Sequence, residues 1–245
     1  MKAMILAAGL GSRLYPLTID RPKALVECSG RTLLEHAILK LKYFGFTEIV
    51  LNVHHFSNKI IDFVTTHNFG IPISISDETS HLLDTGGGLL HAKKFLDGEE
   101  PFLICNVDVI SSIDFSKMMQ YHKQHKALAT LAVSKRETSR YLLFDEMSQL
   151  CAWENRMKNE KIIVHQRKQY TPLAFSGIQI ISPEIFQHIT ETGAFPIMDL
   201  YLRLAKSHSI LAYDHTGDFW LDIGKYEELA ENERLIKNQK FEYLQ

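Results

Sequence analysis

The chain has 245 residues, of which 45% are hydrophobic and 23% are charged, as in an ordinary globular protein with a sizeable core. Its formal net charge of −2 argues against a nucleic-acid or anionic-membrane partner, so any anion site must be local. Three widely spaced cysteines without a C-x-x-C pair predict reduced thiols in a cytoplasmic protein rather than disulfides or a zinc site: Cys28, Cys105 and Cys151.

The first predicted element is a buried strand. Residues 3–8 form an apolar run that ends at Gly9, as is typical of a strand covered on both faces. The run stops at Ser12 and Arg13 without a signal-peptide cleavage site, and no run reaches the ~18 apolar residues of a membrane span. We therefore expect neither a targeting segment nor a membrane segment.

Helical and extended patterns alternate along the rest of the chain. Helical spacing of apolar residues predicts helices at 32–44, 57–64 (capped by Ser57), 114–125, 183–189, 197–205 and 225–238. Extended patterns predict strands at 48–53, 71–76, 102–105, 127–134, 173–181, 210–213 and 220–223. This order predicts an α/β fold, a Rossmann-like three-layer sandwich with a mostly parallel central sheet. We expect one domain over residues 1–245, with a less regular β-rich excursion, or a lid over the sheet, at 140–170.

The segment LAAGLGSRLYPLTIDRPKAL (residues 6–25) leaves the first strand where ligands bind in α/β sheets. Gly9 and Gly11 allow backbone N–H groups to approach a phosphate, and Arg13 and Lys23 would neutralise a triphosphate. The alternative is a tight turn with two surface cations. The segment matches neither the dinucleotide-binding fingerprint nor the P-loop.

Two aspartates end short apolar runs. Asp108 follows residues 102–105, and Asp222 lies between Trp220 and Gly224. Each carboxylate is suited to hold Mg²⁺ against phosphate oxygens, and the alternatives are a turn or cap aspartate and a buried hydrogen-bond acceptor. The spacing of the two residues does not show that they meet.

Two further groups are weaker candidates. The glycine-rich segment at residues 84–88 is predicted as a loop whose bare backbone a flat nucleobase approaches, or else as a flexible turn before a short helix. His122 and His125 lie one helical turn apart without a third ligand, and a solvated pair is favoured over a metal site.

Together these motifs resemble the sugar-1-phosphate nucleotidylyltransferases, whose signature loop is G-x-G-[ST]-R-L-x-P-L-T…P-K. The match continues through LLDTGGGL, FLICNVDV, AFSGIQIISPEIF and FWLDIGKYEEL, and so covers nearly the whole chain. The chain is most similar to short bacterial members, including N-acetylmuramate-1-phosphate uridylyltransferases and mannose-1-phosphate guanylyltransferase-like proteins. No hexapeptide repeat of a left-handed β-helix follows residue 225.

The resemblance implies that an NTP and a sugar 1-phosphate give an NDP-sugar and pyrophosphate. It implies UTP or GTP and a sugar 1-phosphate as partners, Mg²⁺ as cofactor, no nucleic acid or membrane, and a monomer or small homo-oligomer. Arg13, Lys23, Asp108 and Asp222 would be catalytic, and the two aspartates would hold Mg²⁺. The implied nucleotide contacts are Leu6, Ala8, Gly9, Gly11, Ser12, Gly86 and Gly87, and the implied sugar-side contacts are Glu154, Asn155 and Gly177.

One departure concerns the sugar side. Many relatives have Glu-Lys-Pro there, with a lysine on the sugar phosphate, whereas this chain has Trp153-Glu154-Asn155. Either another cation holds that phosphate or the acceptor differs from a typical hexose 1-phosphate. Two other functions stay open. One is a nucleotide-sugar-dependent glycosyltransferase, since Asn106-Val107-Asp108 weakly resembles the metal-binding motif of such enzymes. The other is a non-catalytic nucleotide-sugar-binding protein.

Overall fold

The computed structural model describes residues 1–244. Within them the strands are β1 (Lys2–Leu6), β2 (Glu27–Cys28), β3 (Arg31–Thr32), β4 (Glu48–Val53), β5 (Ile73–Asp77), β6 (Phe102–Asn106), β7 (Val109–Ser111), β8 (Ala129–Ser134), β9 (Arg140–Phe144), β10 (Leu150–Asn155), β11 (Glu160–Ile163), β12 (Thr171–Ile181), β13 (Ile210–Asp214) and β14 (Trp220–Asp222). The helices are α1 (Leu33–Tyr43), α2 (Ser57–Thr66), α3 (Asp84–His91), α4 (Lys93–Leu96), α5 (Phe115–His125), α6 (Ile185–His188), α7 (Ile197–Leu204) and α8 (Leu229–Lys237).

The central sheet has the strand order β5-β4-β1-β6-β12, and β8 and then β13 continue it beyond β12. Among these seven described strands only β12 is reversed, because it pairs antiparallel with β6 and β8 while the other pairs are parallel. The predicted mostly parallel sheet is confirmed.

Helices cover both faces of this sheet. Side chains alternate along β1, so that Ala3 and Ile5 pack into one apolar cluster and Met4 into the other. The first cluster contains residues of α1, α5 and α8, and the second contains residues of α3, α4 and α7. The sheet is thus covered on both faces, as the predicted three-layer sandwich requires.

Local signals set the ends of several helices. At the start of α1, Glu35 N donates to Thr32 Oγ1 at 3.1 Å and Thr32 N donates to a Glu35 carboxylate oxygen at 2.7 Å, which forms a capping box. Asp114 caps α5 by accepting from Ser116 N and Lys117 N. The predicted cap at Ser57 is wrong, because Ser57 is the first helical residue of α2 and Phe56 takes the cap position.

Residues 140–170 form the antiparallel strands β9, β10 and β11. β9 pairs with residues 171–173 at the beginning of β12, so these strands lengthen the sheet and do not close over it as a lid. In the described part of the chain, each helix is too short or too polar to cross a bilayer.

Candidate active site

Polar side chains gather where the parallel strands end. Asn106 ends β6, Asn52 lies one residue before the end of β4, and Glu78 follows β5. They line a cavity of about 660 Å³, called the first cavity below. It is further lined by Leu6, Ala7, Ala8, Gly9, Leu10, Gly11, Ser12, Arg13, Lys23, Leu82, Asp84, Thr85, Val107, Asp108, Ala194 and Gly224. The structure therefore brings all predicted residues of the segment 6–25 into one cavity with Asp108.

The loop after β1 folds so that Lys23 lies against Gly11. Gly11 has φ +67°, and a Cβ there would lie 3.0 Å from Lys23 Cβ and 3.1 Å from Thr18 Cγ2. Thr18 Oγ1 also donates to the carbonyl of Gly11 at 3.0 Å. Both backbone conformation and packing therefore favour glycine at position 11. Gly9, in contrast, faces open space on its Cβ side.

A buried hydrogen-bond chain fixes the start of this loop. Ala7 N donates to Asn52 Oδ1 at 2.7 Å, and Asn52 Nδ2 donates to Glu78 Oε1 at 2.8 Å. Leu83 N donates to the other Glu78 oxygen at 3.3 Å. Burial raises the pKa of Glu78, and the hydrogen bond from Asn52 opposes this effect. Asn52 and Glu78 were not among the predicted site residues, although each comes near or just after the carboxyl end of a strand, as Asp108 does.

The glycine-rich segment is not an exposed loop. Gly86 and Gly87 are buried in α3, where a Cβ would lie 2.3 Å from the ring of Phe195 and 2.4 Å from the carbonyl oxygen of Gly193, respectively. A Cβ on Gly88 would lie 2.7 Å from Glu78 Oε1. The predicted loop was wrong, because these glycines belong to a helix packed against other protein atoms. Neither Gly86 nor Gly87 is among the residues that line the first cavity, and their contact with a nucleobase stays a prediction. Asp84 and Thr85 line the first cavity instead.

A small two-stranded sheet brings the predicted aspartates together. β14 pairs with β7 so that Asp222 lies opposite Val109, and Ile223 N donates to the carbonyl of Asp108 at 2.8 Å. Burial raises the pKa of Asp222, and the negative charge of Asp108 raises it further, while Lys23 and Arg13 oppose the shift. Lys23 forms a hydrogen-bonded ion pair with Asp108.

These two carboxylates fit a divalent cation. Asp222 Oδ1 is buried and has no hydrogen-bond partner among the described residues. Two adjacent carboxylates repel each other, and a hard cation with oxygen ligands would satisfy the orphaned oxygen and remove the repulsion. Asp108 and Asp222 are therefore the residues that would hold Mg²⁺.

A second cavity, of about 520 Å³, opens on the side of Asp222. Gly177 lines it at φ +72°, where β12 bulges and a Cβ would lie 2.8 Å from Asn106 Nδ2. Arg13 and Asn106 line both cavities, so the two aspartates lie where the cavities meet. The second cavity is further lined by Val109, Arg136, Thr138, Ser139, Arg140, Phe175, Ser176 and Trp220.

Two sugar-side predictions lie elsewhere. Glu154 pairs with Arg156 at 2.8 Å and with Lys161 at 3.8 Å, and Asn155 Oδ1 accepts from the backbone of the following turn. Neither side chain is among the residues lining the two cavities. Their contact with a substrate stays a prediction. Trp153, which precedes them in β10, lines a third, largely apolar cavity.

The predicted solvated histidine pair is also corrected. His122 is 1% exposed and bonds Thr130 Oγ1 at 2.9 Å and Ser182 Oγ at 3.0 Å, whereas His125 is exposed. His122 faces the sheet and His125 faces solvent, so the two rings do not share a site.

The comparisons with known proteins agree on one family. The model of the nucleotidyl transferase family matches residues 2–239. The chain is 32% identical over 232 residues to probable mannose-1-phosphate guanylyltransferase 1 of Oryza sativa subsp. japonica, with 92% of this chain but only 62% of that relative covered. It is 30% identical over 236 residues to N-acetylmuramate alpha-1-phosphate uridylyltransferase of Neisseria meningitidis serogroup B, with 96% and 98% covered.

Among solved structures, HddC from Yersinia pseudotuberculosis superimposes with a TM-score of 0.76 at 22% identity, covering 96% of this chain and 99% of the other. That likeness concerns the fold. The sequence matches extend from β1 to beyond α8, across every loop that lines the first cavity. The chain belongs to the nucleotidyl transferase family.

Proposed function

We propose that the protein transfers a nucleotidyl group from an NTP, UTP or GTP, to a sugar 1-phosphate and releases pyrophosphate. One observation carries this proposal: Arg13, Lys23 and the aspartate pair converge where the two cavities meet. An NTP in the first cavity would present its α-phosphate at this junction. The acceptor phosphate would reach it from the second cavity.

The chemistry needs no activated side chain. The nucleophile is a phosphate oxygen of the sugar 1-phosphate, which is already ionised at neutral pH. It forms a bond to the α-phosphorus of the NTP while the bond from that phosphorus to the bridging oxygen breaks, and pyrophosphate leaves with the electron pair.

The main barrier is repulsion between two anions. Arg13 and Lys23 would screen that repulsion, orient the in-line attack and stabilise the departing pyrophosphate. Mg²⁺, when bound, supplies further charge neutralisation at the phosphate oxygens. Asp108 and Asp222 would hold it, and Lys23, which is paired with Asp108, would bring its ammonium charge to the triphosphate at the same place.

The comparisons support this chemistry more than they support a particular substrate. The relatives cited carry guanylyl- and uridylyl-transferase names. The three buried free thiols are consistent with a cytoplasmic enzyme. We also propose a monomer or a small homo-oligomer, as the family resemblance implies.

The test is a pyrophosphate-release screen of four NTPs against a panel of sugar 1-phosphates and phosphocholine, with Mg²⁺. We expect release only when both substrates are present, and we expect Asp108→Asn and Asp222→Asn to lower it at least about a hundredfold with the fold intact. The matched control Asp62→Asn, on the exposed face of α2, should keep full activity.

Three outcomes would contradict the proposal. Near-normal turnover by both aspartate variants would remove the site from the chemistry. Glycosyl transfer from an NDP-sugar without pyrophosphate release would make the protein a glycosyltransferase. Binding without turnover across the whole panel would make it a nucleotide-sugar-binding protein.

A further inference from the structure

The second cavity carries an excess of positive charge. Three arginines line it, Arg13, Arg136 and Arg140, against a single acidic residue, Asp222. Its lining therefore has a formal charge of +2. A phosphate monoester, which is close to a dianion at neutral pH, complements such a cavity, and arginine binds its oxygens in pairs.

Arg136 is held in place beside the aspartate pair. Its guanidinium carbon lies 4.1 Å from the centroid of the Trp220 ring, and its Nη2 donates to the carbonyl of Phe175 at 2.6 Å. The indole Nε1 of Trp220 in turn donates to the carbonyl of Ser176 at 2.9 Å. Because Trp220 and Asp222 belong to the same short strand, the guanidinium is fixed relative to the reacting centre.

Arg136 has donors to spare. Its Nε–H is buried without a hydrogen-bond partner among the described residues, and a buried donor of this kind is unfavourable until an acceptor satisfies it. Within residues 1–244 neither Arg136 nor Arg140 forms an ion pair, whereas several other arginines are paired with carboxylates: Arg21, Arg156, Arg167, Arg203 and Arg234. A cation that is positioned but not neutralised is what an anionic ligand requires.

We propose that Arg136, assisted by Arg140, binds the phosphate of the acceptor sugar 1-phosphate. This inference rests on the proposed function. It accounts for the absence of a lysine at residues 153–155, since Lys161, which lies opposite Glu154 in β11, is engaged with that carboxylate. Arg136 holds the acceptor phosphate near Asp222, with one oxygen free to attack the α-phosphate from the second cavity.

The experiment measures steady-state kinetics with the sugar 1-phosphate that the wild-type protein turns over fastest. We expect Arg136→Gln to raise the KM for that acceptor by about tenfold to a hundredfold, the effect of losing charge-assisted hydrogen bonds, and to leave the KM for the NTP within about twofold. Arg136→Lys should recover part of the loss because it restores the charge without the planar fork.

Two controls separate binding from folding. Arg234→Gln, on the exposed face of α8, should leave both KM values unchanged. The melting temperature and the NTP-induced shift in that temperature should be the same for Arg136→Lys as for the wild type, so that a loss of acceptor affinity in this variant is not a loss of fold.

Three results would overturn the inference. An unchanged acceptor KM in Arg136→Gln, with wild-type turnover present, would refute the role of Arg136 while the proposed function stands. An equal rise in the KM for NTP and acceptor would mean that Arg136 only supports the fold of the site. Absence of wild-type turnover on every acceptor would refute the proposed function and this inference together.

Discussion

A buried lysine next to the two-stranded sheet of β7 and β14 gives the most specific prediction for stability. Lys40 in α1 is 5% exposed, and its ammonium donates to the carbonyl and the hydroxyl of Ser111, each at 2.7 Å. Ser111 pairs with Trp220 in the sheet formed by β7 and β14. Burial lowers the pKa of Lys40 to about 7, although neighbouring acidic groups oppose the shift.

The sign of the pH effect follows from this shift. The pKa of Lys40 is about 7 in the folded protein and 10.5 in its ordinary state, so between these values the unfolded chain binds one more proton than the folded chain. The free energy of unfolding must then rise with pH, and the cost of burying the charged ammonium is fully present below pH 7. From pH 7 to pH 9 the rise amounts to about 2 kcal/mol.

The assay is urea unfolding at several pH values from 6.5 to 9. Lys40→Met should lack the rise that the wild type shows, whatever its absolute stability, while Lys42→Met on the same helix should keep it because Lys42 is exposed. The buried thiols also titrate above this range, with pKa values raised by burial, and do so in every variant. Parallel curves for the wild type and Lys40→Met would refute the reasoning.

The remaining predictions concern acid stability, the first cavity and the metal. Burial lowers the pKa of His122 to about 4, below its ordinary value of 6.5. The melting temperature should therefore be highest above pH 6.5 and fall between pH 6.5 and pH 4, where the unfolded chain binds the extra proton. His122→Gln should show a smaller fall, and equal slopes for the variant and the wild type would contradict this. Gly88→Ala crowds Glu78, and we expect a lower melting temperature and a higher KM for NTP; unchanged values would mean that Glu78 moves freely. Mg²⁺ should raise the melting temperature of the wild type and not of Asp222→Asn, and equal shifts would locate the ion elsewhere.

Much of the site was predictable because its residues lie at the ends of strands. Apolar runs identify the strands, and the carboxyl edge of a parallel sheet gathers whatever follows them. Asp108 was found in this way, and the same reasoning applied to Asn52 and Glu78 would have found them too. Arg136 carries the same signal, since it lies two residues after the end of β8, as Asp108 does after β6. Its stacking on Trp220, which is distant in the sequence, has no local signal.

The glycine-rich segment shows why other predictions failed. A run of glycines is equally compatible with an exposed loop and with a helix that packs closely against another chain segment. The close contact between Gly86 and Phe195 favours the packed helix over the exposed loop. Nothing near Gly86 in the sequence predicts this contact. For a related reason the sequence does not show which side chains of β10 face a cavity, because this depends on how the neighbouring strands pack.

The sequence by itself determined most of the order of elements, the glycines and cations of residues 6–25 and the two aspartates, because hydrophobic periodicity and residue chemistry are local properties. Only the tertiary structure decided that Asp108 and Asp222 meet, that Lys23 pairs with the first of them, and that Arg136 lies beside the second. These are contacts between distant segments, and packing of the whole sheet and its helices sets them.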